Sequence, residues 1–96
     1  MNNEISNMNK EAGPLFFGQI RYILFNSKHD FQLNVQSSNK ELLFSGNAKE
    51  MVDNSLDSEI VSDIKLVPTE SSTSSTFIIT LMSDREREET LEYYSK

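Results

Sequence analysis

The apolar residues of this chain fall into short blocks separated by polar turns, a spacing that restricts the fold to short helices and strands. A disordered chain would have them scattered instead. After His29, the residues Phe31, Leu33 and Val35 alternate with polar residues, as in a strand that has one buried face. A chain of 96 residues can bury one small core. The pattern therefore predicts one packed domain built around a sheet.

The first apolar block fits both a helix and a strand. Ile20, Tyr22 and Leu24 would alternate in a strand, but the block exceeds the usual strand length. Pro14 is tolerated in a first helical turn, where its missing N–H leaves no bond unmade. We therefore favour a helix over residues 14–26. Its apolar face would carry Phe16, Phe17, Ile20, Ile23 and Leu24.

The middle of the chain predicts a hairpin and a short helix. The strands of the hairpin are residues 31–36 and 41–45, joined by the polar turn 37–40. Asn47 can cap a short helix, and Glu50 three residues later completes a variant of the capping box.

A second hairpin and a last helix follow. Residues 59–67 and 77–82 read as strands, with Thr69 to Thr76 as a mobile loop between them. Ser83 and Glu86 form a capping box, which predicts an acidic helix to about Tyr94 that is only lightly docked.

These elements predict an α+β fold. The sheet would be four-stranded and largely antiparallel, made of two hairpins, with two or three helices packed on one face. The order would be helix, hairpin, helix, hairpin, helix. We expect residues 1–12 to be a flexible N-terminal arm and residues 13–96 to form the single domain, which ends in the acidic C-terminal helix.

The charge of the chain is unevenly distributed. Residues 1–50 hold five Lys/Arg and five Asp/Glu, whereas residues 51–96 hold four and ten, so the second half carries the net charge of −6. This balance argues against binding to nucleic acid, which requires a basic face. The chain has no cysteine, no apolar segment long enough to span a membrane and no secretory signal, so we expect a cytoplasmic protein.

No motif for catalysis or for a cofactor is recognisable in the sequence. His29 and Asp30 lack the third partner that nucleophilic or metal chemistry needs. The run from Asp53 begins like a calcium loop, but Ser58 and Ile64 stand where the glycine and the bidentate glutamate belong. The three glycines are isolated and form no phosphate-binding loop. We therefore expect a protein that is not an enzyme and has neither a metal nor a cofactor.

Two acidic clusters are the candidate partner-binding residues. They could present a row of carboxylates to a basic groove, or they could be two ordinary solvated faces in which Arg85 and Arg87 pair with nearby glutamates. Some aromatic residues of the first helix could instead form a dimer contact. The acidic candidates are Asp53, Asp57, Glu59 and Asp63, then Asp84, Glu86, Glu88, Glu89 and Glu92; the dimer candidates are Phe16, Phe17 and Tyr22.

The stretch ELLFSGNAKEMVDNSLDSEIVSDIKLV, followed by FIITL, carries a resemblance. Its Leu-Phe-x-Gly at 43–46, its Leu56-Asp57 turn and its Ile60 and Ile64 resemble small phage- and prophage-encoded proteins of Gram-positive bacteria. In that pattern a strand, a short helix, a turn and two further strands follow one another. The resemblance covers about half of the chain and implies an α+β fold. It also implies a role common among phage accessory proteins, which is to bind and block host proteins, as anti-CRISPR and other anti-defence inhibitors do.

The functional hypothesis is therefore a non-enzymatic, acidic phage-type accessory protein in the cytoplasm of a bacterial host cell. It would bind and inhibit a host protein with a basic surface, such as the nucleic-acid-binding groove of a CRISPR or other defence nuclease. It would bind neither nucleic acid nor membrane directly. The alternative is a self-associating structural or regulatory phage protein, a homodimer without inhibitor activity.

Overall fold

The computed structural model describes residues 13–68 and 74–95. The predicted arm, residues 1–12, and residues 69–73 of the predicted loop lie outside the described residues. The helices are α1 (Phe17–Phe25) and α2 (Asp84–Tyr94), and the strands are β1 (Asp30–Gln36), β2 (Leu42–Asn47), β3 (Val61–Pro68) and β4 (Ser74–Leu81).

The described strands form a mixed sheet in the order β2-β1-β4-β3. Both hairpins pair antiparallel, as predicted, but the two central strands, β1 and β4, run parallel. The prediction of a largely antiparallel sheet is wrong on this point. After β2 the chain crosses to the far edge and forms β3 there, so that β4 returns to the centre beside β1 and in the same direction. Local sequence patterns carry no information about this long-range pairing.

The predicted middle helix is a single 3₁₀ turn, Ala48–Glu50. Asn47 caps it as expected, since its Oδ1 accepts a hydrogen bond from the Lys49 N–H at 2.8 Å. The backbone becomes extended again at Met51, so no α-helix forms and the described residues contain two α-helices. The predicted loop is also shorter, because the backbones of residues 74–76 already pair with β1.

The core lies between α1 and one face of the sheet. Alternate residues of the central strands point to this face: Leu33 and Val35 of β1, and Ile79 and Leu81 of β4. The opposite face of these strands is polar except for Ile78, and the Gln36 Nε2 donates there to the Thr80 Oγ1 at 2.9 Å. The other buried members of the core are Phe17, Leu24, Ala48, Met51 and Val61.

Candidate protein-binding surface

Asp53, Asp57 and Glu59 of the first acidic cluster lie in residues 51–60, a segment that connects the 3₁₀ turn to β3 and packs against the start of α1. The Phe17 N–H donates to the Glu59 carbonyl at 2.8 Å, and the Gly18 N–H donates to the Asp57 carbonyl at 3.2 Å. These bonds satisfy two donors that a helix start leaves unpaired. A Cβ at Gly18 would lie 2.9 Å from the Asp57 Cβ, so the close approach requires glycine.

Asp57 is held by Arg21 of α1. The Arg21 Nε and Nη2 each donate to one carboxylate oxygen of Asp57 at 2.7 Å, and the Arg21 Nη1 donates to the Met51 carbonyl at 3.3 Å. The hydrogen bonds from Arg21 lower the pKa of Asp57, and the same bonds raise the pKa of Arg21. Both side chains are partly buried. Asp57 therefore anchors the connecting segment to α1.

Asp53 lies within electrostatic reach of the same arginine. Its negative charge contributes to raising the pKa of Arg21. Its Oδ1 also accepts a hydrogen bond from the Ser55 N–H at 2.9 Å. That second contact is a local turn of the kind that Asp commonly forms. Asp53 itself is exposed.

The two acidic clusters meet at Arg87 of α2. The Arg87 Nη1 lies 2.6 Å from the Glu59 Oε1, and the Arg87 Nη2 lies 3.1 Å from the Asp84 Oδ1. The side chains of Arg87 and Glu59 are each 25% exposed. The arginine thus joins the start of α2 to the segment before β3.

Asp63 lies further along the same side of the molecule. It is exposed on β3, opposite Thr80, and it lines a cleft of about 600 Å³ together with Thr90 and Tyr94 of α2. Pro14, Leu15 and Ile64 form part of the apolar wall of the cleft. The structure therefore brings Glu59 and Asp63 next to α2, whereas Asp53 and Asp57 lie beside α1.

The second acidic cluster forms the start and the outer face of α2. The Ser83 Oγ accepts from the Glu86 N–H at 3.2 Å and the Glu86 Oε1 accepts from the Ser83 N–H at 3.0 Å, which completes the predicted capping box. The hydrogen bond from the Ser83 backbone, followed by that with its side chain, lowers the pKa of Glu86. The capping box starts α2 where the sequence predicts it.

None of the residues Asp84–Tyr94 is fully buried. Arg87, Thr90 and Tyr94 are half-buried, so the opposite face of this helix points to solvent. We call its exposed Glu88, Glu89 and Glu92 the acidic stripe. Arg85 pairs with Glu89 at 3.1 Å, and neither Glu88 nor Glu92 forms an ion pair with a described residue.

The aromatic candidates for a dimer contact differ in position. Phe17 is 0% exposed and belongs to the core. Phe16 is half-buried and forms an isolated bridge with Ile60, whereas Tyr22 is 70% exposed. The sequence pattern predicts Ile23 on the inner face of α1, but its side chain is 65% exposed. Phe17, Ile20 and Leu24 form the inner face, and Ile23 lies at its border, so the spacing alone does not decide on which side Ile23 falls.

His29 is exposed, and its ring packs edge-on against Phe31 with the ring centroids 6.2 Å apart. Residues 13–68 and 74–95 contain no group of three or more His, Cys, Asp or Glu placed to hold a metal ion. In that part of the chain, neither helix has the length and apolar character needed to cross a membrane. Comparison with protein-family models, curated proteins and solved structures found no match to this chain.

Proposed function

We propose that this chain is a non-enzymatic binding protein whose acidic stripe on α2 docks onto a basic surface of a protein partner. The observation that carries the proposal is the exposure of α2. None of its residues is fully buried, and its Glu88, Glu89 and Glu92 point to solvent. In a chain of net charge −6, such a helix attracts and orients a basic partner.

The stripe is a better candidate than the acidic residues of the first cluster. Asp57 and Glu59 are already bound by arginines at 2.7 Å and 2.6 Å, and a partner would have to compete for them. Glu88 and Glu92 have no such bond to a described residue and are separated by one helical turn, about 6 Å along the axis. We therefore propose that Asp57 and Glu59 hold the segment before β3 in position and that the acidic stripe makes the contact with the partner.

The partner class follows from the chemistry of the stripe and from the resemblance to phage proteins. A row of carboxylates offers regularly spaced negative charge, which suits a groove lined with Lys and Arg that normally holds a phosphate backbone. The groove would belong to a host defence nuclease, such as a CRISPR nuclease. This part of the proposal is supported by the resemblance to phage proteins at residues 43–46 and 56–64. The proposed site of action is the cytoplasm of a bacterial host cell.

A displacement assay tests this function. Purified CRISPR and restriction nucleases from Gram-positive bacteria are loaded with fluorescently labelled DNA or guide RNA, and this protein is titrated in at low ionic strength. We expect displacement of the nucleic acid from at least one nuclease. The variant Glu88→Gln/Glu92→Gln should weaken displacement by about tenfold, because it removes two charges from the contact.

The matched control is Glu41→Gln/Glu50→Gln, which removes two exposed carboxylates from the first half of the chain. It should change the displacement constant by less than about twofold, since these residues lie outside the proposed contact. The proposal would be overturned if the protein displaced nucleic acid from none of the nucleases. Equal weakening by both double variants would also overturn it, because net charge and not the stripe would then be responsible.

A further inference from the structure

The outer face of α1 carries a second unassigned surface. Gln19, Tyr22, Ile23 and Asn26 follow one another at the spacing i, i+3, i+4 and i+7, which places them in one row along the helix. Tyr22 and Ile23 at the centre of this row are among the most exposed large apolar side chains of the described residues. Nothing in residues 13–68 and 74–95 buries these two side chains.

The two amide side chains that flank this pair have complementary free atoms. The Gln19 Oε1 accepts from the Phe16 N–H at 3.0 Å, which leaves the donor end of the Gln19 amide for an external partner. The Asn26 Nδ2 donates to the Tyr22 carbonyl at 2.8 Å, which leaves the acceptor Oδ1 of Asn26. The row therefore ends in a donor on one side and in an acceptor on the other.

The row carries no charge, although the chain has a net charge of −6. A basic partner would find no carboxylate among Gln19, Tyr22, Ile23 and Asn26. The acidic stripe lies on α2, so none of its carboxylates belongs to this row. The surface is thus suited to an apolar, uncharged partner with matching hydrogen-bond groups.

We propose that α1 docks antiparallel onto α1 of a second copy, with the two-fold axis passing between Tyr22 and Ile23. This symmetry places Tyr22 against Ile23 of the second copy, and it places Gln19 against Asn26 of the second copy. The free donor of Gln19 then meets the free acceptor of Asn26, and the two-fold axis makes this contact twice. Both the apolar centre and the polar ends of the row are self-complementary.

The size of the surface sets the strength of the dimer. The exposed parts of Tyr22 and Ile23, with neighbouring Phe25, amount to an interface at the small end of specific protein contacts, on the order of 500 Å² for each copy. We expect a reversible dimer that dissociates at micromolar concentrations. This proposal does not depend on the acidic stripe and can fail or succeed independently of it.

Association is tested by sedimentation equilibrium of the full chain from about 1 μM to about 1 mM. The expected result is a shift from monomer to dimer, which Ile23→Glu should abolish within this range by placing two charges at the axis. Since Ile23 is exposed, the variant should retain the circular dichroism spectrum of the native fold. Leu66→Glu on β3, at another exposed apolar residue, is the matched control and should leave dimerisation unchanged.

Disulfide trapping tests the antiparallel register, because the natural chain contains no cysteine. Gln19→Cys/Asn26→Cys should form a covalent dimer on mild oxidation, since these residues would face each other at disulfide distance. Within one copy they are about 10 Å apart along the helix and cannot react together. Gln19→Cys alone should remain monomeric in the antiparallel register and would cross-link in a parallel one.

The proposal is overturned if the natural chain remains a monomer over the whole concentration range. It is equally overturned if Ile23→Glu dimerises like the natural chain, or if Gln19→Cys alone cross-links as fast as the double cysteine variant.

Discussion

Gly18 and Arg21 join α1 to residues 51–60 by two different means. Gly18 allows the backbone of α1 to approach Asp57, and Arg21 binds the Asp57 carboxylate with two hydrogen bonds. Met51, which contributes its carbonyl to Arg21, is itself part of the core. A single contact region therefore connects the helix, the core and the chain that leads to β3.

Gly18→Ala should destabilise the protein, although glycine to alanine within a helix normally stabilises it. The added Cβ would lie 2.9 Å from the Asp57 Cβ and 3.2 Å from the Asp57 carbonyl oxygen, so the connecting segment must shift. We expect the free energy of unfolding in urea to fall by about 2 kcal/mol. Gly46→Ala is the control: the nearest atom to its Cβ would be the end of the Phe44 ring at 3.3 Å, so a loss as large as that of Gly18→Ala would contradict this explanation.

The ion pair of Asp57 and Arg21 should make stability depend on pH. The pKa of Asp57 is lower in the folded chain than its ordinary value of 3.8, so its stabilisation is complete above that value and is lost as the pH falls through the folded pKa. Asp57→Asn should reduce the unfolding free energy at neutral pH by about 1 kcal/mol, a modest value because the pair is partly exposed.

Urea denaturation of both proteins between pH 7 and pH 2 measures this effect. Below the ordinary pKa of aspartate the natural chain should lose more stability than Asp57→Asn, so the two curves converge. Glu86, whose pKa is also lowered, contributes to the acid dependence of both proteins and cancels from the comparison. Parallel curves at all pH values would show that Asp57 contributes no pH-dependent stability.

At the scale of elements, local sequence signals located most helices and strands. Alternation identified β1, and the Ser83 and Glu86 capping box identified the start of α2. The middle helix is shorter than predicted because the backbone becomes extended at Met51, directly after the capped turn. The anchors of α2 and of residues 51–60 were missed, since Arg21 and Arg87 find their partners 36 and 28 residues away.

Removing Arg87, which anchors α2, should make this helix unfold locally more often. Arg87→Ala deletes the contacts to Glu59 and Asp84, and Thr90 then retains a contact of 3.4 Å to the Met82 Sδ. Hydrogen exchange should speed up in residues 84–94, equivalent to about 1 kcal/mol of local stability, while β1 and β4 keep their protection. Arg85→Ala, which loses only an exposed pair with Glu89, should leave the exchange of α2 nearly unchanged.

Unchanged exchange of α2 in Arg87→Ala would mean that the ion pair does not hold the helix. The same would follow if strong salt, which screens exposed charge pairs, affected α2 no more than the sheet.

At the scale of the whole molecule, the parallel pairing of β1 with β4 decides the architecture. The sequence indicated an α+β fold because its apolar blocks have the correct lengths and periods. It could not indicate strand order. A sheet in which β1 pairs with β4 and a simple meander of the two hairpins would bury the same alternating residues. For the same reason it could not show that Glu59, Asp63 and α2 lie on one side, as their proximity depends on where β3 lies.

The central pairing predicts where the core is most sensitive. Val35 and Ile79 are register partners in β1 and β4, and both are 0% exposed. Ile79→Ala should lower the free energy of unfolding by about 3 kcal/mol, because it leaves a cavity in the centre of the sheet. Ile64→Ala, on edge strand β3, should lower it by about 1.5 kcal/mol, roughly half as much, since Ile64 is 39% exposed. Equal losses would contradict the placement of β4 in the centre.

The salt dependence of partner binding tests the central claim most directly. The complex is that of this protein with a nuclease from which it displaces nucleic acid. Its dissociation constant is measured against salt concentration for the natural chain and for Glu88→Gln/Glu92→Gln. We predict that affinity falls steeply with salt and that the double variant shows a shallower slope, because fewer charges take part in the contact. An affinity that is indifferent to salt, or equal slopes for the two proteins, would contradict the central claim.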